Sequence, residues 1–208
     1  MGMDMTGLRI PERRKKAPVV ALRPNREKIL HALLFLIDQG DNRGVAVTQY
    51  TILKTFFLAD RAHLNRYGRP ITFDNYKAMK DGPVASLTYD LLKNNINFSA
   101  VFGIAGPLWE RTPAPEISAR AFRFHSAKEK PNIDVLSESE LEALSDALTI
   151  TATLSFSQIK RLTHEDPAYI DAWEDEDPAS AYDMSVGMLF DTPNFDQAKE
   201  LAFLSQHQ

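Results

Sequence analysis

Apolar positions along the chain fall into helical stripes separated by short polar and glycine-rich breaks. Ile29, Leu30, Leu33, Leu34 and Ile37 form one stripe, predicting a helix over Asn25–Asp38 with Gly40 as its stop. Ile52, Leu53, Phe56, Phe57 and Leu64 form a second, predicting a helix from the cap Thr48 to Tyr67. Gly68 stands just past that end, where a left-handed residue closes the last turn. A short extended pair follows. Gly82-Pro83 then predicts a third helix with proline in its first turn, carrying Val84, Leu87, Leu91 and Leu92 inward.

Residues 95–131 differ in character. Phe98–Phe102, Leu108–Glu110 and Ala121–Phe124 read as short β runs broken by Gly103, Gly106, Pro107, Pro113 and Pro115, so a small hairpin or two is expected there. Two strongly marked helix starts come next. Ser137 with Glu140 and Ser155 with Gln158 are capping boxes, flanked by the staple pairs Leu136/Leu141 and Leu154/Ile159. Asp166-Pro167 caps a further short helix holding Tyr169, Ile170 and Trp173, and Thr192-Pro193 begins a last one through Leu201 and Leu204. The fold class expected is mainly α, a compact helical domain with a small β-hairpin element.

Charge adds organisation. The net charge is −4 overall, but residues 1–28 carry eight Lys/Arg against three Asp/Glu, and residues 165–200 carry eleven Asp/Glu against one Lys. The division expected is a flexible basic arm at 1–22, a helical domain at 23–178 with a β-rich insertion at about 95–131, and an acidic segment at 179–208 ending in a helix. Cysteine is absent, which excludes disulfides, thiol nucleophiles and thiolate metal sites. The longest apolar runs, such as Ala32–Ile37, fall far short of a membrane span, and the N-terminus lacks a signal-peptide core. A soluble cytoplasmic protein is the expectation.

Catalytic patterns are scarce. The five histidines are scattered without metal-ligand spacing, and neither a Gly-Lys-Ser/Thr phosphate loop nor a Gly-x-Ser-x-Gly elbow occurs. Glu174-Asp175-Glu176-Asp177 reads as a solvated run rather than a cation site. Asp60 and His63, three apart, are read as a structural pair tying the second helix to the segment that follows, and Arg69 as a partner for Asp60 or Asp90. His164 is placed to complement a helix C-terminus. Phe156–Leu162 and Ala168–Trp173 have helix-turn-helix dimensions, yet the second helix offers DNA no Lys or Arg. Catalytic residues, metal and cofactor are therefore all expected to be absent, and nucleic acid is a disfavoured partner.

One set of segments points further. Leu58-Ala59-Asp60-Arg61, Tyr67-Gly68-Arg69-Pro70-Ile71 and Gly82-Pro83-Val84, followed by Leu136-Ser137 through Leu144, Leu154-Ser155 and Leu162-Thr163-His164-Glu165, occur in this order. The chain resembles the Panacea (SocA-like) antitoxin family in these segments, over about residues 26–175 in two blocks. The segment 95–131 has no counterpart in that pattern. The resemblance implies a mainly helical antitoxin of a type II toxin–antitoxin pair. Such a protein is not an enzyme and masks a cognate protein toxin, encoded beside it, by direct binding. Asp60, Arg61, Gly68, Pro70, Gly82, Pro83, Val84, Thr163 and His164 are then the structural motif. Aromatic and cationic residues are the natural interface anchors, and the candidates are Tyr67, Arg69, Tyr76, Lys77, Trp109 and Trp173. Core packing is the competing role for Tyr67 and Tyr76, whereas Trp109, between two prolines of the insertion, is expected at the surface. Self-association stays open. The alternatives are an adaptor that binds a client protein and a DNA-binding repressor that uses the basic arm.

Overall fold

A computed structural model describes residues 15–93, 97–119, 121–174 and 180–207. Two long helices, α1 (Arg26–Arg43) and α2 (Gln49–Tyr67), are buried together against a third, α5 (Glu138–Thr153). Ile29, Leu33, Leu36, Ile52, Phe56 and Leu144 are fully buried at the centre. Thr48 caps α2 and Gly68, at φ 76°, closes it, as the sequence predicts. α1 runs past its predicted stop, because Gly40 is an interior residue whose missing side chain admits Val47, and Gly44 makes the cap.

The Gly82-Pro83 segment corrects the sequence reading. Strands β1 (Tyr76–Met79) and β2 (Gly82–Ala85) form a hairpin with Met79 opposite Gly82, so Lys80-Asp81 is the turn and proline lies in a strand. β2 is an edge strand, where a residue without an N–H is tolerated. Helix α3 (Ser86–Leu92) starts three residues later without a local side-chain cap. Its first amides are taken by a remote acid: Asp74 accepts from the backbone of Leu87 at 3.0 Å and of Thr88 at 2.9 Å.

The insertion is a mixture. Phe98–Phe102 is a helical turn, α4, capped by Asn97, rather than the β run expected. Strands β3 (Glu110–Pro113) and β4 (Phe122–His125) form the expected hairpin, and the Phe124 amide donates to Val47 O across 2.8 Å, latching it to the entry of α2. Both capping boxes form, at the starts of α5 and α6 (Phe156–His164), and Asp166 caps α7 (Pro167–Ala172).

The described parts of both terminal segments pack on the body. β5 (Ala181–Asp183) pairs with β1 to complete an antiparallel sheet of order β2-β1-β5. A 3₁₀ turn at Val186–Met188 leads to α8 (Phe195–Ser205), which starts after Thr192-Pro193 with Asn194 as its cap. Of the arm expected over 1–22, residues 1–14 lie outside the described residues. From Lys16 onward the chain is docked rather than free: Lys16 Nζ donates to Ala172 O at 2.7 Å, and the Leu22 amide donates to Asn75 Oδ1 at 2.9 Å. Asp175-Glu176-Asp177 of the acidic run also lies outside the described residues. No described helix is long and apolar enough to cross a membrane.

Candidate functional site

Asp60, Arg61, Gly68 and Pro70 of the motif lie along the C-terminal half of α2 and the segment that leaves it. Asp60, 2% exposed, accepts from the backbone of Ile71 at 2.7 Å and of Thr72 at 3.0 Å, from the Thr72 hydroxyl, and from Tyr76 OH at 2.8 Å. Burial pushes its carboxyl up while the Thr72, Tyr76 and Ile71 donors pull against it. One carboxylate thus holds the segment after Gly68 against the helix it has just left.

His63 holds the same segment by a separate route, not by pairing with Asp60. Its Nδ1 is 2.8 Å from Arg69 O, an atom that can only accept, so Nδ1 carries the proton. Nε2 lies 3.1 Å from the Ser139 hydroxyl at the start of α5, and in the neutral ring it accepts from it. Arg69 reaches neither Asp60 nor Asp90. Its Nη1 instead joins Lys28 Nζ on Oε1 of Glu140, a fully buried acid of α5. Arg61 pairs with Asp166, the α7 cap, and with Asp191 at 2.9 Å. Thr163 is fully buried, with its hydroxyl donating to Ile159 O, and His164 lies against the Tyr169 ring at 4.2 Å. Pro70 and Val84 are buried. These residues brace the fold.

The bracing leaves an open groove of about 110 Å³ between α2 and α5. Leu58 and Ala62 from α2 and Ala143, Ala147 and Ile150 from α5 give it an apolar lining. Alanines at facing positions make the trench, since longer side chains there would fill it. Tyr67 stands at one end, 44% exposed, with its ring 4.6 Å from that of His63 and 5.2 Å from the Arg66 guanidinium. Glu142 and Asp146 edge the α5 side.

The contact candidates divide accordingly. Tyr67 belongs to the groove, and Arg69 is half-buried behind it. Lys77 and Trp173 both reach β5, through Asp183 at 2.6 Å and the Tyr182 ring at 5.5 Å. Tyr76 is core. Trp109 corrects the expectation of a surface residue: it is 3% exposed and packs edge-on to Phe98 at 5.6 Å. Sequence reading missed Arg66, Glu142, Asp146 and Ile150. The four-residue steps Glu138–Glu142–Asp146 and Ala143–Ala147 were the available signal. Among the described residues no cluster of His, Asp and Glu could hold a metal ion.

A family model described as antitoxin SocA-like, Panacea domain, matches residues 52–170, from the first turn of α2 into α7. It covers more than half of the chain and includes the braced segment, the hairpin and both edges of the groove. No match was found among curated proteins or solved structures.

Proposed function

We propose, from the premise that this chain belongs to the SocA-like Panacea antitoxin family, that it is the antitoxin of a type II toxin–antitoxin pair. On this reading it acts in the cytoplasm, binds a cognate protein toxin directly and masks its activity without chemistry of its own. The observation that carries the reading is the family match over residues 52–170, which hold the braced segment, the hairpin and both edges of the groove. Asp60, His63, Arg69 and Glu140 support the non-catalytic part of it, because they are engaged in holding α2, its following segment and α5 together.

The test is growth of cells expressing the adjacent open reading frame with and without this chain. Growth arrest by the neighbour alone, relieved by co-expression and accompanied by a co-purifying complex, is the expected result. A harmless neighbour, or arrest that persists with this chain present, overturns the antitoxin reading and puts a client-binding adaptor in its place.

A further inference from the structure

We propose that the α2–α5 groove receives a basic amphipathic helical segment of the protein partner. The inference deepens the antitoxin reading and rests on it only for the partner's identity. Its physical case lies in the groove itself.

Glu138, Glu142 and Asp146 are exposed and four residues apart, hence on one face of α5. α5 contains no Lys or Arg to offset them. Arg66 is the base across the groove, with Nη1 3.5 Å from Glu142 Oε2 and the two side chains 67% and 56% exposed. Exposed pairs of that kind contribute little and exchange readily. Arg43 contacts α5 on its other flank, through Ser145 Oγ at 2.7 Å and Thr149 Oγ1 at 3.2 Å. The groove edge therefore keeps a row of acids beside an apolar trench.

The trench has the length of a helix site. Leu58 to Tyr67 is nine residue steps along α2, about 14 Å at the helical rise. That length accommodates roughly two and a half turns of a ligand helix, enough for two or three apolar anchors at i, i+3/i+4 and i+7. Ile150, 40% exposed, and Tyr67 would cover the ends of such a helix. Its flank toward α5 meets the acidic row, so lysines or arginines at four-residue spacing match it, while an acidic helix or a nucleic-acid backbone is repelled.

The probe is a short synthetic Leu/Lys peptide patterned as an amphipathic helix, with its Leu/Glu counterpart as control, titrated against the full chain by fluorescence anisotropy. The expected result is binding of the Lys peptide alone, weakened by salt and by at least about tenfold in the double variant Glu142→Lys/Asp146→Lys. Both substitutions are at the surface, so the melting temperature should be unchanged. Failure of the Lys peptide to bind, equal binding of both peptides, or unchanged binding by the double variant overturns the proposal. Co-expression with the adjacent open reading frame separates the two readings. Wild-type rescue equalled by the double variant sinks the groove and leaves the antitoxin standing. Groove binding of the peptide without wild-type rescue does the reverse.

Discussion

Lys54 Nζ donates to the carbonyl of Pro83 across 2.8 Å, from a side chain that is 1% exposed. The bond runs from α2 to β2 beside Gly82, where a Cβ would stand 2.7 Å from both Lys54 Nζ and Thr163 Oγ1. Two signatures far apart in the chain, Gly82-Pro83-Val84 and Leu162-Thr163-His164, are thus parts of one joint, and α2 supplies its third side.

Gly82→Ala should be severe for two reasons that can be separated. Gly82 has φ +103° as well as the close approach, whereas Gly103 has φ +72° with nothing within 4 Å of its missing Cβ. Gly103→Ala therefore bears backbone strain alone, about 1 kcal/mol, and Gly82→Ala adds overpacking for a total of about 3 kcal/mol. Urea unfolding midpoints of the two variants check this. Equal losses would show that the joint yields freely to an extra methyl.

Lys54 also gives the fold a pH dependence. Burial lowers its ammonium from 10.5 to about 7, with Asp81 opposing and Lys160 assisting the shift. Between those values the unfolded chain holds the proton and the folded one does not. Stability should therefore rise with pH across that window, by up to about 1.4 kcal/mol per unit. Beyond it the trend reverses, because burial pushes the Tyr50 hydroxyl up to about 12 and the folded state then holds the proton that the unfolded state releases. Lys54→Met should raise the unfolding midpoint at neutral pH and flatten the rise. A variant with the wild-type slope would assign it to another group.

Asp60 predicts an ordering among substitutions. Asp60→Ala strands two buried amides and two hydroxyls, at a cost of about 3 to 5 kcal/mol. Asp60→Asn keeps one oxygen for the amides of Ile71 and Thr72, and both hydroxyls can turn to accept from its amide, so it should cost about half as much. Tyr76→Phe removes one donor and should cost about 1 kcal/mol. Thermal unfolding of the three variants tests the order, and a Tyr76→Phe loss equal to that of Asp60→Ala would make the phenol rather than the carboxylate the centre of the network.

What the sequence shows and hides follows from where each cap comes from. The starts of α2, α5, α6 and α7 carry their acceptors in Thr48, Ser137, Ser155 and Asp166, and all four are legible locally. The start of α3 is not, because its acceptor is Asp74, twelve residues before Ser86 and across a hairpin. Without that acceptor in view, Gly82-Pro83 reads as a helix start. Trp109 failed for a related reason, since only tertiary packing decides on which side of a proline-bounded loop an indole lies. Of the groove, Tyr67 was within reach of sequence reasoning. The acids and alanines of α5 become a surface only once α2 is laid beside them.

Glu140 supplies the last prediction. Its Oε1 accepts Lys28 Nζ at 2.6 Å as well as Arg69 Nη1, and its Oε2 accepts the Ser137 amide at 2.9 Å to close the α5 capping box. Burial alone would push the carboxyl up, but Lys28, the Ser137 amide and Arg69 outweigh it and hold the group below its ordinary 4.5. The stabilisation is thus complete above 4.5 and is lost as pH falls through the lower folded value. Glu140→Gln keeps an oxygen for the box yet leaves two cations without their anion, at a cost of about 2 kcal/mol near neutrality because the Lys28 and Arg69 side chains retain some solvent. Denaturant unfolding of both proteins along an acid series should show that gap closing as wild-type Glu140 takes up its proton. A gap that persists undiminished into acid would assign the loss to altered packing of the capping box, with the charge playing no part.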